Sequence, residues 1–149
     1  MGRSEQLAGA ALEAVLSDGQ DTIPYWVHVP TRQTTAGQYR KGTVALDSVG
    51  CGHDGVLIVA DSKWIGLDTK VARSILKPAQ RDVADQALAA NARVAVLAGR
   101  WGGSATQVAV MPWAILREAV SVEFEHFRAE DWRLALVQIP QGADQWGDR

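Results

Sequence analysis

Two acidic side chains and a lysine stand near the ends of short apolar runs in "GHDGVLIVADSKWIGLDTK", residues 52–70. They are Asp54, Asp68 and Lys70. Charged groups at the ends of buried strands cost free energy unless they are paired or bind something. Two carboxylates beside an ammonium suit phosphodiester hydrolysis. Hard oxygen ligands hold Mg²⁺, with Mn²⁺ as a natural substitute, and the cation keeps most of its waters while contacting phosphate oxygens. Such a metal polarises the phosphate and acidifies a bound water. The lysine then offsets the charge that develops on phosphorus. The same trio also makes an ordinary ion pair at a strand end, and the residues alone leave both readings open.

The alternation of a strand over 63–70 puts Trp64, Gly66, Asp68 and Lys70 on one face. Asp54 joins them if "VLIVA" (56–60) and "KWIGLDTK" (63–70) are two strands of a hairpin, turning near Asp61-Ser62 with an odd-numbered turn. An even turn needs a bulge to bring Asp54 to that face.

The surrounding elements follow from periodicity and punctuation. Ser4 caps a helix whose stripe is Leu7, Ala8, Ala11, Leu12, Val15 and Leu16. "IPYWVHVP" (23–30) is a proline-bracketed edge strand. "TRQTTAGQYRKG" (31–42) is a polar, basic loop or protruding hairpin, and "TVALDSV" (43–49) is a strand. Pro78 opens a helix running to about residue 91. "RVAVLAG" (93–99) and "TQVAVMP" (106–112) are strands joined by "RWGGSA", and "WAILREAV" (113–120) is a short helix. This order predicts one α/β domain over 1–149, with a central mixed sheet flanked by helices. Residues 120–149 are a dimerisation or covering extension.

Composition narrows the class. Hydrophobic residues make up 47% and charged residues 21% of 149 positions, enough for one sizeable core. No apolar run is long enough to span a membrane, and the N-terminus does not read as a signal peptide. The single cysteine, Cys51, excludes an internal disulfide framework and fits a reducing cytoplasm. Net charge is −2, yet residues 32–81 carry eight Lys/Arg against four Asp, a local surplus of four positive charges. That surplus fits a nucleic-acid partner or a solvated face. The glycine-rich turn before residue 56 precedes a strand and lacks a dinucleotide fingerprint.

The layout His53-Asp54, thirteen residues, then Asp68-Thr69-Lys70 resembles the PD-(D/E)XK nuclease superfamily. "LKPAQRDVADQALAANARVAVLAG" (76–99) is similar to the segment that follows this motif in its Holliday-junction resolvase and phage-nuclease branches. The resemblance covers roughly residues 4–112 and implies a restriction-endonuclease-like αβββαβ core. His53 stands where Pro is usual, and Asp68 replaces the commoner Glu. It implies Asp54 and Asp68 as metal ligands and Lys70 as the catalytic lysine. It also implies an acid from the first helix. Glu5, about 70° from the centre of the apolar stripe, is favoured over Glu13, at about 150°. Gln80 points toward the sheet and the site. Arg73, Lys77 and Arg81 flank the site as phosphate contacts; Arg32, Arg40 and Lys41, with Tyr39, form a DNA-contacting arm. Trp64 and Trp113 are packing residues, whereas Trp101 in "GRWGG" is able to stack on a base.

The expectation is therefore a Mg²⁺-dependent DNA endonuclease, of the kind that resolves branched DNA in recombination and repair, acting as a homodimer. Its rivals are a nuclease of the same fold on linear or single-stranded DNA, in restriction, repair or phage genome processing, and a nucleic-acid-binding module with a degenerate site. Val120, Val122, Phe124, Phe127, Trp132 and Leu134 supply a dimer surface unless the tail folds back over the sheet.

Overall fold

The computed structural model describes residues 2–29 and 46–143, with side chains from residue 7 onward. The chain runs α1 (Gly2–Leu16), β1 (Tyr25–His28), β2 (Ser48–Cys51), β3 (Leu57–Gly66), β4 (Lys70–Ala72), α2 (Pro78–Ala89), β5 (Arg93–Gly102), β6 (Ala105–Pro112), α3 (Trp113–Leu116), β7 (Ser121–Glu123), α4 (Phe124–Phe127), β8 (Arg128–Ala129) and α5 (Trp132–Val137). Six strands form a mixed sheet in the order β1-β2-β3-β5-β6-β8; β4 and β7 form a separate two-stranded ribbon. β3 and β5 pair in parallel across the α2 crossover, and every other neighbour in the large sheet is antiparallel.

The central strand explains itself by composition. Val94, Ala95, Val96, Leu97 and Ala98 are all buried, as a strand covered on both faces requires. Alternate residues feed two cores. Val94, Val96 and Ala98 join Ala84 and Leu88 of α2 with Trp113 and Phe124. Ala95 and Leu97 join Leu12 and Leu16 of α1 with Trp132 and Leu136. The C-terminal segment therefore folds back: Phe124, Trp132 and Leu136 are buried, while Val120 and Leu134 stay exposed.

The structure corrects the expected hairpin. Residues 56–60 and 63–70 are not two strands around a turn, because β3 passes straight through Asp61-Ser62 for ten residues. The polar doublet has turn chemistry, but neighbours satisfy it in place, as described below. β3 ends instead at Gly66, whose φ of 67° only glycine adopts without strain, next to a bulge between Trp64 and Gly66. The three strands preceding α2 in the large sheet are thus 25–28, 48–51 and 57–66, with the edge strand as first of the meander.

Candidate functional site

Only two polar residues are buried among those described: Ser48 and Asp61, each 1% exposed. Both belong to one locality. β2 begins its register with β3 at Ser48–Ala60, so within the described residues β3 beyond Ala60 is paired only with β5. At that open edge lies a cleft of about 270 Å³ lined by Glu13, Asp47, Asp61, Ser62, Lys63, Lys77 and Gln80.

Strand alternation builds its floor. Asp61 and Lys63 are two residues apart and share a face. Lys63 Nζ lies 3.1 Å from Asp61 Oδ2 and donates to Gln80 Oε1 at 3.3 Å. Gln80 also accepts from the backbone N–H of Lys77 at 3.1 Å, closing the N-terminal turn of α2. A helix cap therefore fixes the amide that holds the lysine.

Asp47 stands opposite Asp61, one residue before β2. Its carboxylate accepts from the Ser62 N–H at 3.0 Å and the Ser62 hydroxyl at 2.9 Å. Its own N–H donates to Asp61 Oδ1 at 3.1 Å. The clamp holds two carboxylates close together in a poorly hydrated place. Burial first, and then repulsion from Asp61, push the Asp47 carboxyl up to about 7, although the Ser62 hydrogen bonds pull the other way. Asp61 Oδ2 is buried and has no hydrogen-bond donor; its Lys63 contact is a charge contact.

The residues expected to form the site are dispersed. Asp54 lies before β3, and Asp68 and Lys70 lie after it. Ten intervening strand residues separate them by roughly 30 Å or more at about 3.3 Å per residue. Asp54 is exposed. Its carboxyl is held below the usual range, first by the Val56 N–H at 3.1 Å and then by Arg93 at 2.9 Å. Lys70 makes an exposed ion pair with Glu123 at 3.8 Å across the β4–β7 ribbon. Asp68 is exposed in the turn after Gly66, and its own N–H donates to Ile65 O.

Glu13, not expected at the site, lines the cleft. Helix α1 buries Ala8, Leu12 and Leu16 while Leu7 and Val15 remain exposed, so its inward face is rotated toward Gly9 and Glu13. Six apolar positions had made the stripe too wide to fix its centre. Glu5 lies in α1, with its side chain outside the described residues. Gln80 and Lys77, expected beside Asp54, Asp68 and Lys70, line the cleft at Asp47, Asp61 and Lys63 instead. Arg73 is engaged at the surface with Arg117 O at 3.4 Å, and the Arg81 Nε is buried without a partner. Arg32, Tyr39, Arg40 and Lys41 lie outside the described residues.

No group of three His, Cys, Asp or Glu side chains among the described residues forms a ready cation cage. Two carboxylates do converge, one with an unsatisfied buried oxygen and one whose ionisation is opposed by its neighbour. Mg²⁺ is commonly held by one or two carboxylates plus waters and substrate phosphates, so this donor set fits it. A scan against protein-family models matches no family, and a search of curated proteins finds no match.

Proposed function

We propose that the chain is a Mg²⁺-dependent nuclease that hydrolyses DNA phosphodiester bonds, with its site at Asp47, Asp61, Lys63, Gln80 and Glu13. One observation carries the reading: an Asp-x-Lys on one strand face stands opposite a second, half-buried aspartate, with its lysine held by a helix-borne glutamine. The spacing from Asp47 through thirteen residues to Asp61-Ser62-Lys63 is the PD-(D/E)XK layout, with Leu46 where Pro is usual. The order helix, three-strand meander, helix and parallel strand supports reading the fold as a restriction-endonuclease-like αβββαβ core.

A bound divalent cation supplies charge neutralisation at the phosphate and an acidified water. The protein's own groups do the rest. Asp47 and Asp61 would hold the cation, and Glu13 is the third carboxylate lining the cleft. Lys63 presents its ammonium to the phosphate oxygens, where negative charge grows in the transition state. Gln80 keeps that ammonium from collapsing fully onto Asp61. Lys77 sits at the rim for a neighbouring phosphate. Mn²⁺ substitutes for Mg²⁺ because both accept oxygen ligands.

One such site cuts one strand, so paired cuts in branched or duplex DNA call for a C₂ dimer, and a junction-resolving homodimer is the form we favour. Cleavage of junction, flap, duplex and single-stranded DNA is measured with Mg²⁺ and with chelator, beside sedimentation. Metal-dependent cutting lost in Asp61→Asn is the expected result. Full activity in chelator overturns the reading.

A further inference from the structure

Immediately after Lys63, β3 carries Trp64, whose indole meets that of Trp101 at 5.0 Å between ring centres and 85° between planes. Trp64 is half-buried against the α1-side core, whereas Trp101, beside the β5–β6 turn, is 45% exposed. The turn reverses at Gly103 with φ 80°, a backbone conformation that favours glycine. A perpendicular contact covers at most one face of Trp101 with an edge. An indole this exposed leaves apolar area in water that a planar partner would cover.

Trp64 shares its strand face with Ser62, the residue that clamps Asp47. It lies three residues from Asp61, ~10 Å along the strand. From the nuclease reading of the cleft, on which this step rests, we infer that Trp64 and Trp101 form a stacking platform for an unpaired base of the strand being cut. Trp64 is the buried brace and Trp101 the contacting ring. A planar aromatic face takes any base but only when that base is out of a duplex, so the platform selects DNA with unpaired nucleotides beside the cut. Lys63 projects from the opposite face of β3 and with Lys77 lines the adjoining cleft, so the two supply charge for the backbone that leads from the platform to the cut.

The test measures anisotropy of a labelled oligo-dT and of a duplex of equal length, in chelator so that nothing is cut. Trp101→Ala and Trp101→Leu should each weaken oligo-dT binding by about tenfold or more, and Trp101→Tyr should recover most of it. Duplex affinity should change less than about twofold, because paired bases are already stacked. Trp101→Leu keeps apolar bulk, so wild-type affinity in that variant overturns the platform. So does an equal loss on both DNAs, an absence of oligo-dT binding by the wild type, or a dimer that dissociates on substitution with DNA affinity unchanged, which would assign the ring to a second copy of the chain. Melting curves for each variant separate misfolding from lost contact, and Trp101→Tyr decides if the smaller variants melt early. Wild-type protein that binds oligo-dT through Trp101 but cuts no DNA with Mg²⁺ keeps the platform and defeats the nuclease reading instead.

Discussion

The chain carries the same arrangement twice, seven residues apart: Asp47 and Asp61-Ser62-Lys63, then Asp54 and Asp68-Thr69-Lys70. In each, thirteen residues separate the first aspartate from the second. Their fates are opposite. The first set straddles a β2–β3 pairing, so its aspartates face each other across the register and its lysine points the same way. The second set straddles the whole of β3, so its members sit at opposite ends and are exposed. Spacing along a chain is a statement about distance only after the strand boundaries are known.

Activity gives the largest contrast. Asp61→Asn or Lys63→Ala should lower the cleavage rate by about a hundredfold to a thousandfold or more, since each removes a charge aligned with the transition state. Asp68→Asn and Lys70→Ala should leave it within about twofold, because exposed groups far from the cleft touch no reacting atom. Steady-state rates on one DNA substrate compare all four, and a dead Lys70→Ala beside an active Lys63→Ala would reverse the comparison.

Proton linkage gives the next contrast. The folded Asp47 carboxyl titrates at about 7 against an ordinary 3.8, so the native state holds this proton more tightly than the unfolded chain. Its contribution is greatest below about pH 4, falls as pH rises toward about 7, and then levels. Denaturant titrations of metal-free protein should show this slope, and Asp47→Asn should flatten it. Mg²⁺ affinity should rise over the same interval, since cation and proton compete for the carboxylate. Asp54, with its carboxyl shifted the other way, should add nothing over that interval.

Gln80→Ala should cost about 1 kcal/mol of stability, for the lost cap and lysine contacts, and lower turnover by about tenfold with KM little changed. Calorimetry and initial rates read both. Smallest of all, Lys70→Ala should shift the unfolding free energy by less than about 1 kcal/mol, because the Glu123 pair is long and exposed. A larger loss would mean that the β4–β7 ribbon depends on that pair.

Much of the scaffold was legible. The first half of β3, the α2 helix opened by Pro78 and the strands β5 and β6 joined through "RWGGSA" follow from apolar runs and punctuation. Gln80 was legible too, since a glutamine on the apolar face of a helix has to meet a polar partner. Asp61 was not. An Asp-Ser pair between apolar residues carries a turn signature, and a charge in mid-strand contradicts the usual burial preference. What overrode the signature is the Asp47 N–H and the Lys63 ammonium, neither of which has meaning until β2 lies beside β3. The available signal was the conflict itself: a strand-forming run on both sides of a polar pair with no glycine or proline to turn it.

By itself, then, the sequence determined most element types, α1, α2, β5 and β6 among them, and the residue chemistry on offer, because these rest on local periodicity and composition. The tertiary structure decided which of two equally spaced acid–lysine sets converges, and that Glu13 of α1 lines the cleft. It did so through strand register and the rotation of α1, where a shift of one position exchanges the buried and exposed faces.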